Sequence, residues 1–150
     1  MDISVRPADA GDILQMCDLL YELFSIESDF CADSQKQARG LKLLLSDATG
    51  TSIVLVAARG EEIMGMCSVQ TLISTSEGGP AGLLEDFVVR KDHRGNGIGT
   101  RLISEIFRWC KTKNISRLQL LRDADNERAM KLYACNGLTD TNLVCMRKIF

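Results

Sequence analysis

Leu83-Leu84-Glu85-Asp86-Phe87-Val88-Val89 leads through Arg90-Lys91-Asp92-His93 into Arg94-Gly95-Asn96-Gly97-Ile98-Gly99, and this junction decides the fold. The first run is apolar apart from two acids and reads as a strand. Ile98 to Cys110 is amphipathic: at 100° per residue Ile98, Gly99, Leu102, Ile103, Ile106, Trp109 and Cys110 share one face. A glycine-rich bend between a strand and a helix start makes an anion site. Backbone N–H groups left free at the helix N-terminus point outward, and the helix dipole adds partial positive charge. Glycine lets the chain bend tightly and approach a ligand without a Cβ in the way. The ligand expected on this loop carries phosphates.

The spacing excludes two common phosphate loops. A dinucleotide fingerprint needs G-x-G-x-x-G, whereas here the glycines run G-x-G-x-G. A nucleoside-triphosphate loop needs G-x-x-x-x-G-K-[ST], and neither the spacing nor the lysine is present. The pattern R-x-x-G-x-G resembles instead the pyrophosphate loop of the GNAT superfamily of acetyl-coenzyme A-dependent N-acyltransferases. Downstream, Asn126, Ala129, Leu132-Tyr133 and Gly137-Leu138 resemble that family's N-x-x-A-x-x-L-Y-x-x-x-G-F, with leucine in place of phenylalanine. Two motifs in the right order carry the resemblance from Leu83 to Leu138.

The rest of the chain reads consistently with a mixed α/β fold. Strands are expected at Ile3–Arg6, Ile53–Ala58, Ile63–Ile73, Leu83–Val89, Arg117–Leu121 and Leu143–Ile149, and helices at Asp9–Phe24, Ser34–Leu45, Ile98–Cys110 and Asn126–Cys135. Ser74 to Pro80 reads as a polar loop. Crossovers in the second half call for a central mixed sheet with helices on both faces. The resemblance adds that this sheet splays between its fourth and fifth strands. With 150 residues and no linker or repeat, one domain over 1–150 is expected.

Composition narrows the partners. A net charge of −2 with dispersed basic residues gives no reason to expect nucleic acid. The apolar runs are too short to span a bilayer. The six cysteines show no C-x-x-C pair and no metal-ligand spacing, and no basic-then-apolar leader precedes them. Free thiols in a reducing cytoplasm, and no metal, are the expectation. Cys67, Cys110 and Cys135 read as small core residues, Met64 and Met66 as packing, and His93 as a solvated loop residue.

The resemblance implies a transferase that takes acetyl-CoA as cosubstrate and passes the acetyl group to an amine by direct attack in a ternary complex. Coenzyme A is then expected along Phe87, Val88 and Val89, with its pyrophosphate on Arg94, Gly95, Asn96, Gly97, Ile98, Gly99 and Thr100. Arg94 could add a charge-assisted contact, and Asn126 could touch the coenzyme or simply cap its helix.

Amine deprotonation is the larger proton problem. An amine with pKa ~10.4 is neutral in roughly one molecule in 2,500 at pH 7, a cost of about 4.6 kcal/mol. Glu85 is the candidate base, favoured over Asp86, which strand alternation would place on the opposite side. An unperturbed glutamate is about six pKa units too weak for direct transfer. It would need a raised pKa, a water relay or an amine that binds neutral. A structural ion pair of these acids with Arg117 or Arg122 is the bland alternative. Tyr133 is the candidate acid for the departing thiolate.

The segment Phe24–Asp33, with Glu22 before it, supplies Glu27, Asp29, Asp33, Phe24 and Phe30. These suit a small cation such as a polyamine, diamine or amino sugar, although an exposed acidic loop would look the same. Glu85-Asp86-Phe87 with Arg94-Gly95 also resembles the diamine/polyamine branch. A non-catalytic coenzyme A sensor and a protein or peptide N-acetyltransferase stay open as alternatives, and the resemblance implies a homodimer.

Overall fold

A computed structural model describes residues 2–27 and 29–150. Its elements run β1 (Ser4–Pro7), α1 (Ile13–Ile26), α2 (Ser34–Leu45), β2 (Ser52–Arg59), β3 (Glu62–Ser74), β4 (Gly79–Val89), α3 (Ile98–Thr112), β5 (Arg117–Leu120) and α4 (Glu127–Cys135). The sheet order follows the chain, β1 to β5; β1 through β4 are antiparallel neighbours, and β4 and β5 are parallel.

β2 explains why its sequence is apolar without alternation. Val54, Val56 and Ala58 face α1 and α2, while Leu55 and Ala57 face α3. A strand covered on both faces needs apolar residues at every position. On one side Met16, Leu19 and Leu20 of α1 and Leu41 of α2 close the core. On the other, Ile98, Leu102 and Ile106 of α3 do so, as the helical spacing predicts. Each such side chain contributes about 1.5–3 kcal/mol on burial. Met64 and Met66 are fully buried packing residues.

The entry to α1 is fixed by charge. Asp9 and Asp12 form a capping box, and Arg6 of β1 grips buried Asp12 through both oxygens at 2.7 and 2.9 Å. This ties the first strand to the helix that later borders the cleft.

Three expectations are corrected. Gly79 and Pro80 already pair with Ser74 and Ile73, so the loop expected at Ser74–Pro80 shrinks to the turn at 75–78. Cys135 is exposed rather than a core residue, because α4 is short and turns that side outward. No strand forms at Leu143–Ile149. Arg122 pairs with Asp140 at 2.8 Å, and Arg147 lies 4.8 Å over the Phe30 ring and 4.0 Å from Asp29. The arm is thus held at Asp29 and Phe30 and pairs with no strand. Leu143, Val144, Met146, Ile149 and Phe150 are each more than four-fifths exposed.

Candidate active site

β4 organises the site because it outruns its neighbour. Its parallel pairing with β5 spans Ala81–Leu84 against Arg117–Leu120 and then stops, while β4 continues to Val89. Past Leu84 that side of β4 has no strand partner among the described residues, which is the splay expected between strands four and five. α4 stands opposite: Tyr133 meets the Phe87 ring edge-on, with centroids 5.8 Å apart at 69°.

The glycine loop follows directly. Gly95 and Gly97 take φ values of 86° and 76°, a region that costs an L-residue about 1–2 kcal/mol. A Cβ at either position would meet nothing within 4 Å, so backbone conformation, not crowding, requires glycine there. Gly97 caps α3 without a side chain. The first intrahelical bond runs from the Arg101 N–H to the Gly97 carbonyl at 3.1 Å. The N–H groups of Ile98, Gly99 and Thr100 precede it and remain for an anion. At Gly99 a Cβ would lie 3.1 Å from Leu132 Cδ2 and 3.6 Å from Phe87 Cε1. Its absence lets α3 close against α4 as well as the sheet.

Two side chains at this loop act otherwise than expected. The Arg94 guanidinium is turned back: Nε donates to the Val89 carbonyl at 2.7 Å, and an Nη lies 3.8 Å from Glu22. It braces the end of β4. His93 is not simply solvated but faces Glu62 at 3.0 Å; Asn96 donates its side-chain amide to the His93 carbonyl at 3.2 Å. Asn126 caps α4, its Oδ1 accepting from Ala129 N–H at 3.0 Å.

On the other flank of β4 lies a cleft of about 450 Å³ between α1, α2 and the sheet, bordered by Phe24, Asp33, Lys36, Gln70, Glu85 and Asp86. Both acids line it, which corrects the expectation that they point to opposite sides. Asp86 has φ 54°, and register between β3 and β4 shifts at this point. A bulge suspends the alternation on which the expectation rested. Neither acid is held in an ion pair with Arg117 or Arg122: Arg117 faces Glu77 at 3.6 Å and Arg122 faces Asp140.

The two carboxylates differ in setting. Glu85 is exposed and accepts a long hydrogen bond from the Gln70 amide at 3.4 Å. Asp86 sits deeper and accepts from Ser68 Oγ at 3.1 Å. Burial pushes its carboxyl up to about 6, with the Glu85 charge adding to the rise and the Ser68 hydrogen bond opposing it. Glu27, at the C-terminal end of α1, is also raised by burial and then by Asp123, Asp86 and Asp29. Burial, followed by Cys67 and Glu27, drives the Tyr133 phenol well above its ordinary value, so it stays a donor at neutral pH. Cys67 is fully buried and its thiol is raised by that burial.

Of the acidic segment, Phe24 and Phe30 pair with centroids 5.4 Å apart, and Asp33 caps α2. Glu22 points to the glycine loop and not to the cleft. Sequence reasoning grouped Glu22 with the acidic segment and missed Arg147 and Ser68; only Ser68 left a signal, a lone hydroxyl inside the otherwise apolar stretch Met64–Val69. Among the described residues no cluster of His, Cys, Asp or Glu could hold a metal ion, and no helix is long and apolar enough to cross a membrane.

Comparison with known proteins bears on this arrangement. A 57-residue stretch is 39% identical to thialysine N-epsilon-acetyltransferase of Bos taurus, 38% of this chain and 34% of that protein. The matched part spans about a third of the curated relative's length. The fold is shared with a transcriptional regulator of Bacillus halodurans, at TM-score 0.85 and 23% identity over 99% of this chain and 100% of that one. It is also shared with a predicted acetyltransferase of Clostridium acetobutylicum solved with acetyl-CoA, at TM-score 0.78 and 19% identity over 98% and 96%. The profile of the acetyltransferase (GNAT) family matches residues 13–137, and with the splayed sheet and glycine loop in place the chain belongs to that family.

Proposed function

We propose that this protein transfers the acetyl group of acetyl-CoA to a primary amine of a small molecule in the polyamine, diamine or amino-sugar class, by direct attack in a ternary complex. One observation carries the reading. The unpaired edge of β4 with its glycine loop and the acid-lined cleft lie on opposite flanks of the same segment, Glu85–Val89. A thioester on one flank and an amine on the other would meet there. The thialysine enzyme, named for an N-epsilon amine, supports an amine acceptor.

The residues present fit coenzyme A. N–H groups of Gly95 to Thr100 and the α3 dipole receive the pyrophosphate, and Phe87 and Val88 offer backbone along the open edge. Arg94 shapes this cradle from behind. In the cleft, Asp86 and Glu85 attract an ammonium, with the Glu27 charge near Asp86, and Phe24 offers it aromatic surface. Asp86 is the base we now place ahead of Glu85: with its carboxyl near 6, the gap to an amine narrows from about six pKa units to about four. The bound ammonium first releases one proton to solvent; as the C–N bond then forms, a second N–H proton passes to Asp86, and as the C–S bond breaks Tyr133 gives its proton to the coenzyme thiolate and is reprotonated in turn. Glu85 then guides the acceptor at the cleft mouth.

The reading extends to a homodimer in the cytoplasm. Among the described residues the apolar C-terminal arm has no strand partner and the outer edge of β5 is open; a second copy would supply both. All six cysteines are free, which suits a reducing compartment. The test is mass-spectrometric detection of acetylated product from a panel of polyamines, diamines, amino sugars, amino acids and peptides with acetyl-CoA. Product from the small amines is expected; product from peptides alone would overturn the acceptor class.

A further inference from the structure

Resting on the coenzyme site proposed above, we infer that Glu22 of α1 is a positioning residue for the phosphate loop, acting through Arg94 and the Lys91 amide. Its Oε2 accepts from the Lys91 N–H at 3.1 Å and lies 3.8 Å from an Nη of Arg94. Arg94 in turn donates through Nε to the Val89 carbonyl at 2.7 Å. One carboxylate thereby joins the last residue of β4, the helical turn Lys91–His93 and the loop entrance to a helix far away in sequence. Both side chains are largely covered, Arg94 22% and Glu22 31% exposed, so the pair is shielded more than a surface ion pair.

The rest of the turn is braced in the same direction. The Arg90 side chain donates twice to the Ile63 carbonyl, at 3.3 and 3.2 Å, and His93 faces Glu62. Downstream, Gly95 and Gly97 have no side chain to fix them, and a Cβ there would touch nothing. The direction of the N–H groups from Gly95 to Gly97 is therefore set from the loop entrance, while those of Ile98 to Thr100 are held by α3, whose Ile98 is buried in the core. Glu22 is also an anion beside a site for an anion. Its charge is tolerable there because Arg94 answers it. An unpaired Glu22 would repel the pyrophosphate, so the two side chains work as a unit.

A double-mutant cycle read by calorimetric titration of coenzyme A tests this. Glu22→Ala is expected to weaken binding about tenfold, a cost of about 1.4 kcal/mol. Glu22→Gln, which keeps an acceptor for the Lys91 N–H, recovers part of the loss. Arg94→Ala leaves the carboxylate uncompensated, and the double variant Glu22→Ala/Arg94→Ala binds at least as well as Arg94→Ala alone. In steady-state kinetics the change falls on the KM for acetyl-CoA and not on that for the amine. Unchanged affinity in Glu22→Ala, or losses that simply add in the double variant, would overturn the role of Glu22. If the native protein binds no coenzyme A, the site reading itself fails and this inference with it.

Discussion

Replacing Asp86 with Asn removes a base while keeping its shape and its contact with Ser68. In the native protein the carboxyl titrates near 6, so at pH 7 roughly ten of eleven molecules carry the charge. The amine contributes a second ionisation at ~10.4. Below pH 6 the logarithm of kcat/KM for the amine should climb with slope two. Between 6 and the amine's pKa it should climb with slope one. In Asp86→Asn the first limb disappears, leaving slope one throughout and a rate lower by about 10²–10⁴-fold.

Stability moves oppositely. A carboxyl raised in the folded state binds its proton more tightly there than when unfolded. Its contribution is fully present below the unfolded pKa and is lost as pH rises through about 6. At neutral pH that penalty is at most about 3 kcal/mol, from a rise of roughly two units at 1.36 kcal/mol each. Asp86→Asn should therefore equal or exceed native stability at pH 7 and lose that advantage towards pH 4. Stopped assays across pH 5 to 9, with thermal melts at the same points, check both. Retention of the double slope, or a rate within a few-fold of native, would remove Asp86 from proton transfer.

Other expectations follow from single contacts. Tyr133→Phe keeps the ring against Phe87 but loses the proton donor; turnover should drop roughly a hundredfold while calorimetry finds coenzyme affinity within about twofold of native. Gly97→Ala forces a side chain into φ 76° and should cost about 1 kcal/mol of stability, with weaker coenzyme binding in the same titration. Asp12→Ala frees Arg6 and uncaps the turn before α1, lowering stability by about 2 kcal/mol in a urea melt. Because Arg6 holds the Asp12 carboxyl below its usual range, that contribution is present above the unfolded pKa and fades as pH falls through the folded one. Leu143→Arg with Met146→Arg should turn a dimer into a monomer by light scattering; a native protein already monomeric at high concentration would refute the arm's proposed partner.

Much of this architecture was written in local pattern. The α3 face was legible because Ile98, Leu102, Ile103 and Ile106 keep a strict helical spacing and all four are buried. The β2 run was legible because burial on both faces leaves no polar position. What escaped were the features set by three-dimensional registration. Asp86 joins Glu85 on one flank because of a bulge, and nothing in the string Leu84-Glu85-Asp86-Phe87 marks where alternation breaks. The C-terminal run has strand-like residues, but a strand needs an edge within reach, and Arg147 is instead drawn to Phe30 and Asp29. The motif offers Arg94 for a charge-assisted contact to a phosphate. The structure turns it to the Val89 carbonyl and towards Glu22, seventy-two positions earlier, and no local spacing encodes the approach to Glu22.

The most direct measurement is intact-protein and product mass spectrometry in a rapid-quench experiment, adding acetyl-CoA first and the amine second. Direct transfer in a ternary complex predicts a protein of unchanged mass with acetyl-CoA alone, and acetylated amine only once both substrates are present. An acetylated protein that forms before the amine arrives and then loses its acetyl group to it would contradict direct attack. Bound acetyl-CoA with no transfer to any amine would contradict the enzyme.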